Sequence, residues 1–397
     1  MVAALARTLG SEHLDVAEEV VQEALLRALQ VWPHEGVPAN PEGWLYRVAR
    51  NLAVDRGRRS TTLSAKLDLL AAEIPEVGWL VEPALDDELA LVFLCCHPAL
   101  SEDSQVALVL KTAGGFSVAE IAAGFLARPS AVAQRLVRAK DVLRETQAQV
   151  ELPADDELPG RLDAVLRAVY LLFNEGYSAH AGDTTVKAEL CREAIRLAEL
   201  LAASPVTQRP DVDALLALLC FHASRLPARA DDDGALILLA EQNRALWDRG
   251  LIAQGFRALE RAAVGETLTR YHLEAGIAAA HAAAPTFAAT DWRGILDLYD
   301  QLLELHPSPV VALNRAVALA EVDSPAAALE ALERAADAPQ LTRYYLLPAT
   351  RAALLDRLGR RAEAAAEYRK AFQLAGTEQE RRWIGARIGR LESRRDS

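Results

Sequence analysis

Apolar residues recur three or four positions apart along nearly the whole chain, and runs of β-branched residues are short, so the pattern predicts an all-α protein. A first helix is predicted from about Val2 to Trp32, where Leu14, Ala17, Val21, Ala24, Leu25 and Ala28 share a stripe. Pro33, Gly36, Pro38, Pro41 and Gly43 break that stripe. A second helix is predicted over about Pro41–Arg59, with Asn40 as its N-cap and Pro41 in its first turn. Periodicity is weak over residues 60–85. It resumes at Asp86, stops at His97-Pro98, restarts at Ser101 and ends at Gly114-Gly115. Ser117-Val-Ala-Glu120 is a capping box that opens another helix, and Ser130 is expected to cap one more, running to about Gln147. The proline- and acid-bearing stretch Val150–Gly160 reads as an interdomain boundary.

Beyond residue 158 the texture changes to long Ala/Leu helices with an internal period. Ala364, Tyr368 and Ala371 echo Ala328, Leu332 and Ala335, which echo Ile295, Tyr299 and Leu302. The period is near the roughly 34 residues of stacked helical hairpins of the tetratricopeptide kind. A run of unrelated Ala-rich helices is the plainer alternative.

Composition narrows the class. The chain has 397 residues, 51% hydrophobic and 25% charged, which is ordinary for a globular protein of two or three domains. Four cysteines fit neither a disulfide framework nor zinc-ligand spacing, and no apolar run is long enough for a membrane helix. The N-terminus lacks a secretory pattern, so the expected compartment is cytoplasmic. Cys95-Cys96-His97 are expected in the core rather than on a metal, and Gly176 at a left-handed helix end. No nucleophile context, P-loop or dinucleotide fingerprint occurs, so neither an enzyme nor a cofactor is indicated.

The formal net charge is −13, which argues against a general coat for nucleic acid. It is unevenly spread: −6 over residues 1–150, −13 over 151–342 and +6 over 343–397. Within the first block, acidic Asp15–Glu23 precedes the basic stretch Arg47–Lys66. After an acidic spacer comes a second basic stretch, Arg128–Arg144. Two basic stretches suggest two polyanion contacts, although solvated helix faces would give the same pattern.

Residues 115–145 read as capped helix, tight turn, capped helix. Val118, Ile121 and Ala122 are expected to face Val132, Leu136 and Val137, the inner seam of a helix-turn-helix. Its second helix presents Ser130, Gln134, Arg135 and Arg138, side chains suited to base edges and phosphates. On the helix after Asn40, Trp44 lies on one stripe and Arg47, Asn51, Asp55 and Arg58 on the next, with Arg56 and Arg59 nearby. An aromatic beside a basic and polar face suits single-stranded or melting DNA, while Trp44 as core is the plainer alternative.

These residues resemble a family. Asp15-Val-Ala-Glu-Glu-Val-Val-Gln-Glu with Gly43-Trp-Leu-Tyr-Arg-Val-Ala-Arg-Asn is similar to region 2 of the extracytoplasmic-function sigma factors. Gly115-Phe-Ser-Val-Ala-Glu-Ile-Ala through Gln134-Arg-Leu-Val-Arg-Ala-Lys is similar to their region 4. Tyr170–Tyr177 and Ser308–Val317 resemble the subgroup with a tetratricopeptide-like extension.

The resemblance implies a region 2 bundle (1–60), a linker (61–85), a region 4 helix-turn-helix (86–150) and a TPR-like α-solenoid (158–397). It implies that core RNA polymerase is the partner, through its beta-prime clamp helices and beta flap, together with promoter DNA. Asp15, Glu18, Glu19, Gln22 and Glu23 would bind the clamp helices. Trp44, Arg47, Asn51, Asp55, Arg56, Arg58 and Arg59 would bind the −10 element. Ser130, Gln134, Arg135 and Arg138 would read the −35 element. The extension would regulate in cis through a protein partner of its own. Family members usually have a further helix ahead of the position of Val2, so the chain is expected to begin inside region 2. Two other readings of the residues alone are a helix-turn-helix regulator with a TPR sensor and a repeat scaffold without a DNA role.

Overall fold

A computed structural model describes residues 1–57, 85–125, 127–177, 184–231, 236–336 and 338–393. Among these residues it contains eighteen α-helices and no strand beyond one antiparallel bridge between Ala230 and Leu236. They form two compact units. The N-terminal unit comprises residues 1–175 with 199–207, and the C-terminal unit residues 176–198 with 208–397.

The N-terminal unit begins with α1 (Val2–Leu9), a short 3₁₀ turn and α2 (Leu14–Glu35). The single helix expected from Val2 to Trp32 is therefore two. Gly10 separates them at φ +89°, a conformation that side chains with a Cβ avoid. Pro33 lies inside α2, which stops at Gly36, another glycine of positive φ. The next helix, α3 (Pro41–Gly57), starts as expected: Asn40 Oδ1 accepts a hydrogen bond from the Gly43 amide at 2.8 Å. The linker expected over residues 61–85 lies almost wholly outside the described residues, as do Arg58 and Arg59.

Four helices follow: α4 (Leu85–Cys95), α5 (Glu102–Thr112), α6 (Val118–Gly124) and α7 (Pro129–Glu145). Helix α1 packs on α4, with Leu5, Ala6 and Leu9 on one side and Leu89 and Phe93 on the other completely buried. Cys95 and Cys96 are buried core residues, and burial pushes the Cys96 thiol up to about 12. The expected boundary at Val150–Gly160 is not where the compact unit ends. Helix α8 (Leu158–Tyr177) is bound to it, because Arg161 donates to the Phe93 carbonyl at 2.9 Å and Arg167 pairs with Glu102 at 3.5 Å.

The C-terminal unit takes most of α9 (Thr184–Ala203), then α10 (Pro210–Ala223), α11 (Arg249–Ala262), α12 (Arg270–Ala283) and α13 (Trp292–Leu305). It continues with α14 (Pro309–Val322), α15 (Pro325–Ala336), α16 (Leu346–Arg357), α17 (Arg361–Leu374) and α18 (Glu378–Ser393). Helix α12 packs chiefly on α10 and α13, and from α13 onward each helix packs chiefly on the ones before and after it. The periodic positions fill successive small cores: Ile295 and Leu302 in one, Ala328 and Leu332 in the next, and Ala364, Tyr368 and Ala371 in the last. Gly176 corrects an expectation. It lies inside α8 rather than in a left-handed turn, and it is small for a different reason: a Cβ there would meet the Lys187 carbonyl at 2.7 Å and Cys191 Sγ at 2.9 Å.

Candidate nucleic-acid and polymerase interfaces

Helix α3 buries Leu45, Ala49, Leu52 and Ala53 against α2, which turns its other side outward. Arg47, Asn51 and Asp55, spaced four apart, are all exposed on that outer side. Trp44 is half-buried and meets Trp32 of α2 edge to face, with ring centroids 5.6 Å apart. The aromatic pair therefore stands at the end of a polar, basic face, the arrangement an unstacked base needs. Arg56 does not join that face freely. It donates to Glu19 at 2.5 Å and to Glu23 at 3.2 Å, tying α3 to α2.

The acidic residues of α2 divide into two groups. Glu19, Gln22 and Glu23 reach solvent, and Asp15 is exposed. Glu18 is buried at 8% exposure and points into helices α5 and α7. There it accepts a hydrogen bond from Thr112 Oγ1 at 2.8 Å and a second from Lys140 Nζ at 2.8 Å. Lys140 also bonds Asp15. Burial works to lower the Lys140 ammonium, but the Glu18 and Asp15 carboxylates outweigh it and hold it above the ordinary lysine range. Lys140, part of the second basic stretch, is consumed inside the unit.

Sequence reasoning missed a neighbour of these acids. Leu25, Leu26 and Leu29 are 46%, 59% and 72% exposed on the second half of α2, an apolar ridge beside Gln22 and Glu23. The periodic pattern places Leu25 on the inner stripe, and the structure exposes it. The run Leu25-Leu26 followed by Leu29 was the available signal, since only one side of a helix can be buried.

The helix-turn-helix stands on α6 and α7. Ser117 Oγ accepts from the Glu120 amide at 3.2 Å and the Ser117 amide donates to Glu120 at 2.7 Å, the reciprocal box expected. Those hydrogen bonds from Ser117 hold the Glu120 carboxyl below its usual range. Gly115 at φ +71° makes the turn into α6. Two details differ from expectation. Arg128, not Ser130, is the N-cap of α7, because Pro129 takes the first helical position and draws the helix start back two residues. Val137 does not face α6 and is 60% exposed; Val132, Leu136, Ala139 and Leu143 form the inner seam, spaced four, three and four. The outer face of α7 then carries Ser130, Gln134 and Arg138 in the open, with Val137 among them. Arg138 Nε donates to the Gln134 carbonyl at 3.3 Å, and Arg135 is half-buried and pairs with Asp103 of α5 at 3.2 Å.

Among the described residues no cluster of three or more His, Cys, Asp or Glu is placed to hold a metal, and no helix is long and apolar enough to cross a membrane.

Comparison with known proteins agrees with this geometry. Residues 1–62 match the Sigma-70 region 2 family and residues 90–143 match Sigma-70, region 4. Residues 161–263 match a family of unknown function (DUF6596). The chain is 39% identical over 386 residues to a protein of Rhizobium meliloti (strain 1021) described as uncharacterized, covering 96% of this chain and 90% of that one. No solved structure matches. With region 2 and region 4 in order on one chain, followed by the further helical domain, the chain belongs to the extracytoplasmic-function-like sigma factors that carry a C-terminal extension, and it acts in transcription initiation.

Proposed function

We propose that the two exposed helix faces divide promoter recognition between them. Arg47, Asn51 and Asp55 of α3, with Trp44 beside them and Arg56 at the far end, engage the −10 element and hold its strands apart. Ser130, Gln134 and Arg138 of α7 read the −35 element in the major groove, and Arg135 acts from the edge of that face. The observation that carries this reading is the pairing of two outward polar faces with the apolar inward seams Leu45–Ala49–Leu52–Ala53 and Val132–Leu136–Ala139–Leu143. Nothing in the packing requires Asn51 or Gln134 to be where they are.

Core polymerase is engaged by α2 through Glu19, Gln22 and Glu23 around the Leu25–Leu26–Leu29 ridge, against the beta-prime clamp helices, while region 4 meets the beta flap. The polymerase supplies the catalysis, and this chain supplies recognition and strand opening. The helical extension regulates in cis through a protein partner, as stacked helical hairpins suit extended protein surfaces.

Permanganate footprinting of polymerase carrying Asn51→Ala tests the first part. Thymines around the −10 element should lose reactivity while upstream protection by region 4 persists; undiminished reactivity would sink the assignment. Truncation after Thr207, which spares the N-terminal unit, tests the second: promoter-specific output should change, and unchanged output would refute regulation by the extension.

A further inference from the structure

Where α10 ends in the C-terminal unit, three arginines gather on neutral partners. Arg225 and Arg229 flank the 3₁₀ turn Leu226–Ala228, and Arg244 opens another, Arg244–Leu246. Backbone hydrogen bonds tie the two segments together. The Ile237 amide donates to the Arg229 carbonyl at 2.8 Å, and the Asp248 amide to the Ser224 carbonyl at 2.9 Å. Arg225 Nε donates to Gln242 Oε1 at 3.2 Å, and Arg229 Nη1 to the Tyr177 carbonyl at 2.6 Å. Arg244 donates to the carbonyls of His281 and Ala284 and to Thr290 Oγ1. The guanidiniums of Arg225 and Arg244 lie 5.6 and 4.8 Å from the ring centroid of Trp247, which is only 3% exposed. That of Arg229 lies 3.7 Å from the Tyr177 ring, which also meets His222 at 5.1 Å.

None of the acceptors carries a charge, and among the described residues none of the three arginines forms an ion pair. Arg315, Arg351 and Arg387, half-buried elsewhere in the same unit, each pair with a carboxylate. Withdrawing a charge from water without a counter-charge is costly. Burial lowers the Arg225 guanidinium and Arg229 lowers it further, with only Tyr177 acting the other way. The last carbonyls of α10 offer about half a negative charge, too little for three cations. Two further polar groups here, Trp247 Nε1 and His281 Nδ1, are buried with no hydrogen-bond partner among the described residues. The arrangement is therefore rich in donors and positive charge, inside a stretch of chain that is otherwise the most acidic.

We propose that Arg225 and Arg229 form an oxyanion-binding site in the helical extension, and that it takes a small molecule bearing a carboxylate or a phosphate. Arg244 is spent on its carbonyls and buttresses Trp247. Arg225 and Arg229 each commit one nitrogen and keep the rest of their five N–H donors. Both are half-buried, so those donors are within reach of solvent yet sit where charge is weakly screened. A planar guanidinium meets either oxyanion with two parallel hydrogen bonds. The stacked rings of Tyr177 and Trp247 fix the guanidiniums before the ligand arrives, which lowers the ordering cost of binding. The site rests on these contacts and not on the extension having a protein partner.

Calorimetric titration of the full-length chain with sodium phosphate, and separately with sodium acetate, tests it at pH 7.5 with ionic strength held by chloride. One of the two should bind at one site per chain with a Kd of about 1 mM or tighter. In scanning calorimetry the same anion should raise the C-terminal transition and leave the N-terminal one in place. Arg225→Met and Arg229→Met should each weaken binding about tenfold or more, the weight of a charge-assisted hydrogen bond. In chloride alone Arg225→Met should hold or raise the C-terminal transition, because it removes an unbalanced buried cation; a merely structural arginine would lower it.

A response to phosphate and not acetate assigns the site to phosphoryl groups, and the reverse assigns it to carboxylates. No saturable binding of either overturns the proposal. So does an equal rise of the transition in wild type and both variants, which is the general effect of an excluded salt. If Arg225→Met loses its C-terminal transition altogether, Arg225→Lys carries the test. It keeps the charge without the planar fork, and should fold and bind more weakly; unchanged affinity in both Arg225→Lys and Arg229→Met places the anion elsewhere.

Discussion

In the N-terminal unit the polar contacts that matter join residues far apart in the chain: Arg7 with Asp87, Ser11 with Ala148, Glu18 with both Thr112 and Lys140. In the C-terminal unit they mostly join neighbouring helices. Asp300 of α13 pairs with Arg315 of α14, Glu321 of α14 with Arg357 of α16, and Arg351 of α16 with Glu333 of α15 and Glu367 of α17. Arg387 of α18 reaches further along the chain, to Glu241 at 2.5 Å. One unit depends on distant partners finding each other. The other is a stack whose stability is approximately a sum of local terms. That contrast separates a unit closed by contacts between distant segments from one built of successive local contacts.

The largest expected effect probes the stack. Leu332 is completely buried in the core between α14 and α16, so Leu332→Ala should cost about 2–5 kcal/mol. Because the cost is local, calorimetry should show the C-terminal transition falling while the N-terminal one holds. Transitions that fall together would break the comparison.

Acid should act on the same unit. Burial lowers His222 to about 3 and His281 to about 4, with nearby arginines adding to both shifts. The unfolded chain then binds more protons below pH 6.5. Stability is present above that value and is lost as pH falls toward those folded values, by about 2 kcal/mol per histidine at pH 5. A pH series of thermal melts checks the sign. His222→Gln with His281→Gln should flatten the dependence, and an unflattened slope would place its origin elsewhere.

Next come the recognition faces. Gln134→Ala should cost about 1–3 kcal/mol of discrimination at a single −35 base pair, measured as competition between holoenzyme templates differing at that pair. Equal losses on every template would make Gln134 a phosphate contact. The smallest effect is Arg56→Ala, which removes a solvent-facing pair with Glu19 and Glu23 and should cost no more than about 1 kcal/mol of stability.

The same contrast explains what the sequence made legible. The repeat unit announced itself because most of each triplet lies in its own hairpin's core, Ile295 with Leu302, Ala328 with Leu332, and Ala364 with Tyr368 and Ala371, so these positions recur at a readable spacing. The capped helix at Ser117 was legible for the same reason: the whole box spans four residues. Glu18 was not. It sits one position from Glu19 in a uniformly acidic run, and its partners lie 94 and 122 residues away. Val137 was misplaced because it neighbours Leu136, and about 100° of helix rotation separates a buried position from an exposed one. Gly10 was passed over because a lone glycine leaves an Ala/Leu period intact while it breaks the helix. The polar faces of α3 and α7 were found because they combine base-reading residue types with helical spacing, both local properties.

Run-off transcription with core polymerase stripped of sigma shows whether this chain directs RNA polymerase to promoters. Discrete transcripts should appear only when the chain is added, start at a fixed distance from a shared pair of upstream elements, and fall sharply with Asn51→Ala. No transcript from core plus protein, alongside footprinting of the same DNA by the protein alone, would contradict it and leave a DNA-binding regulator in its place.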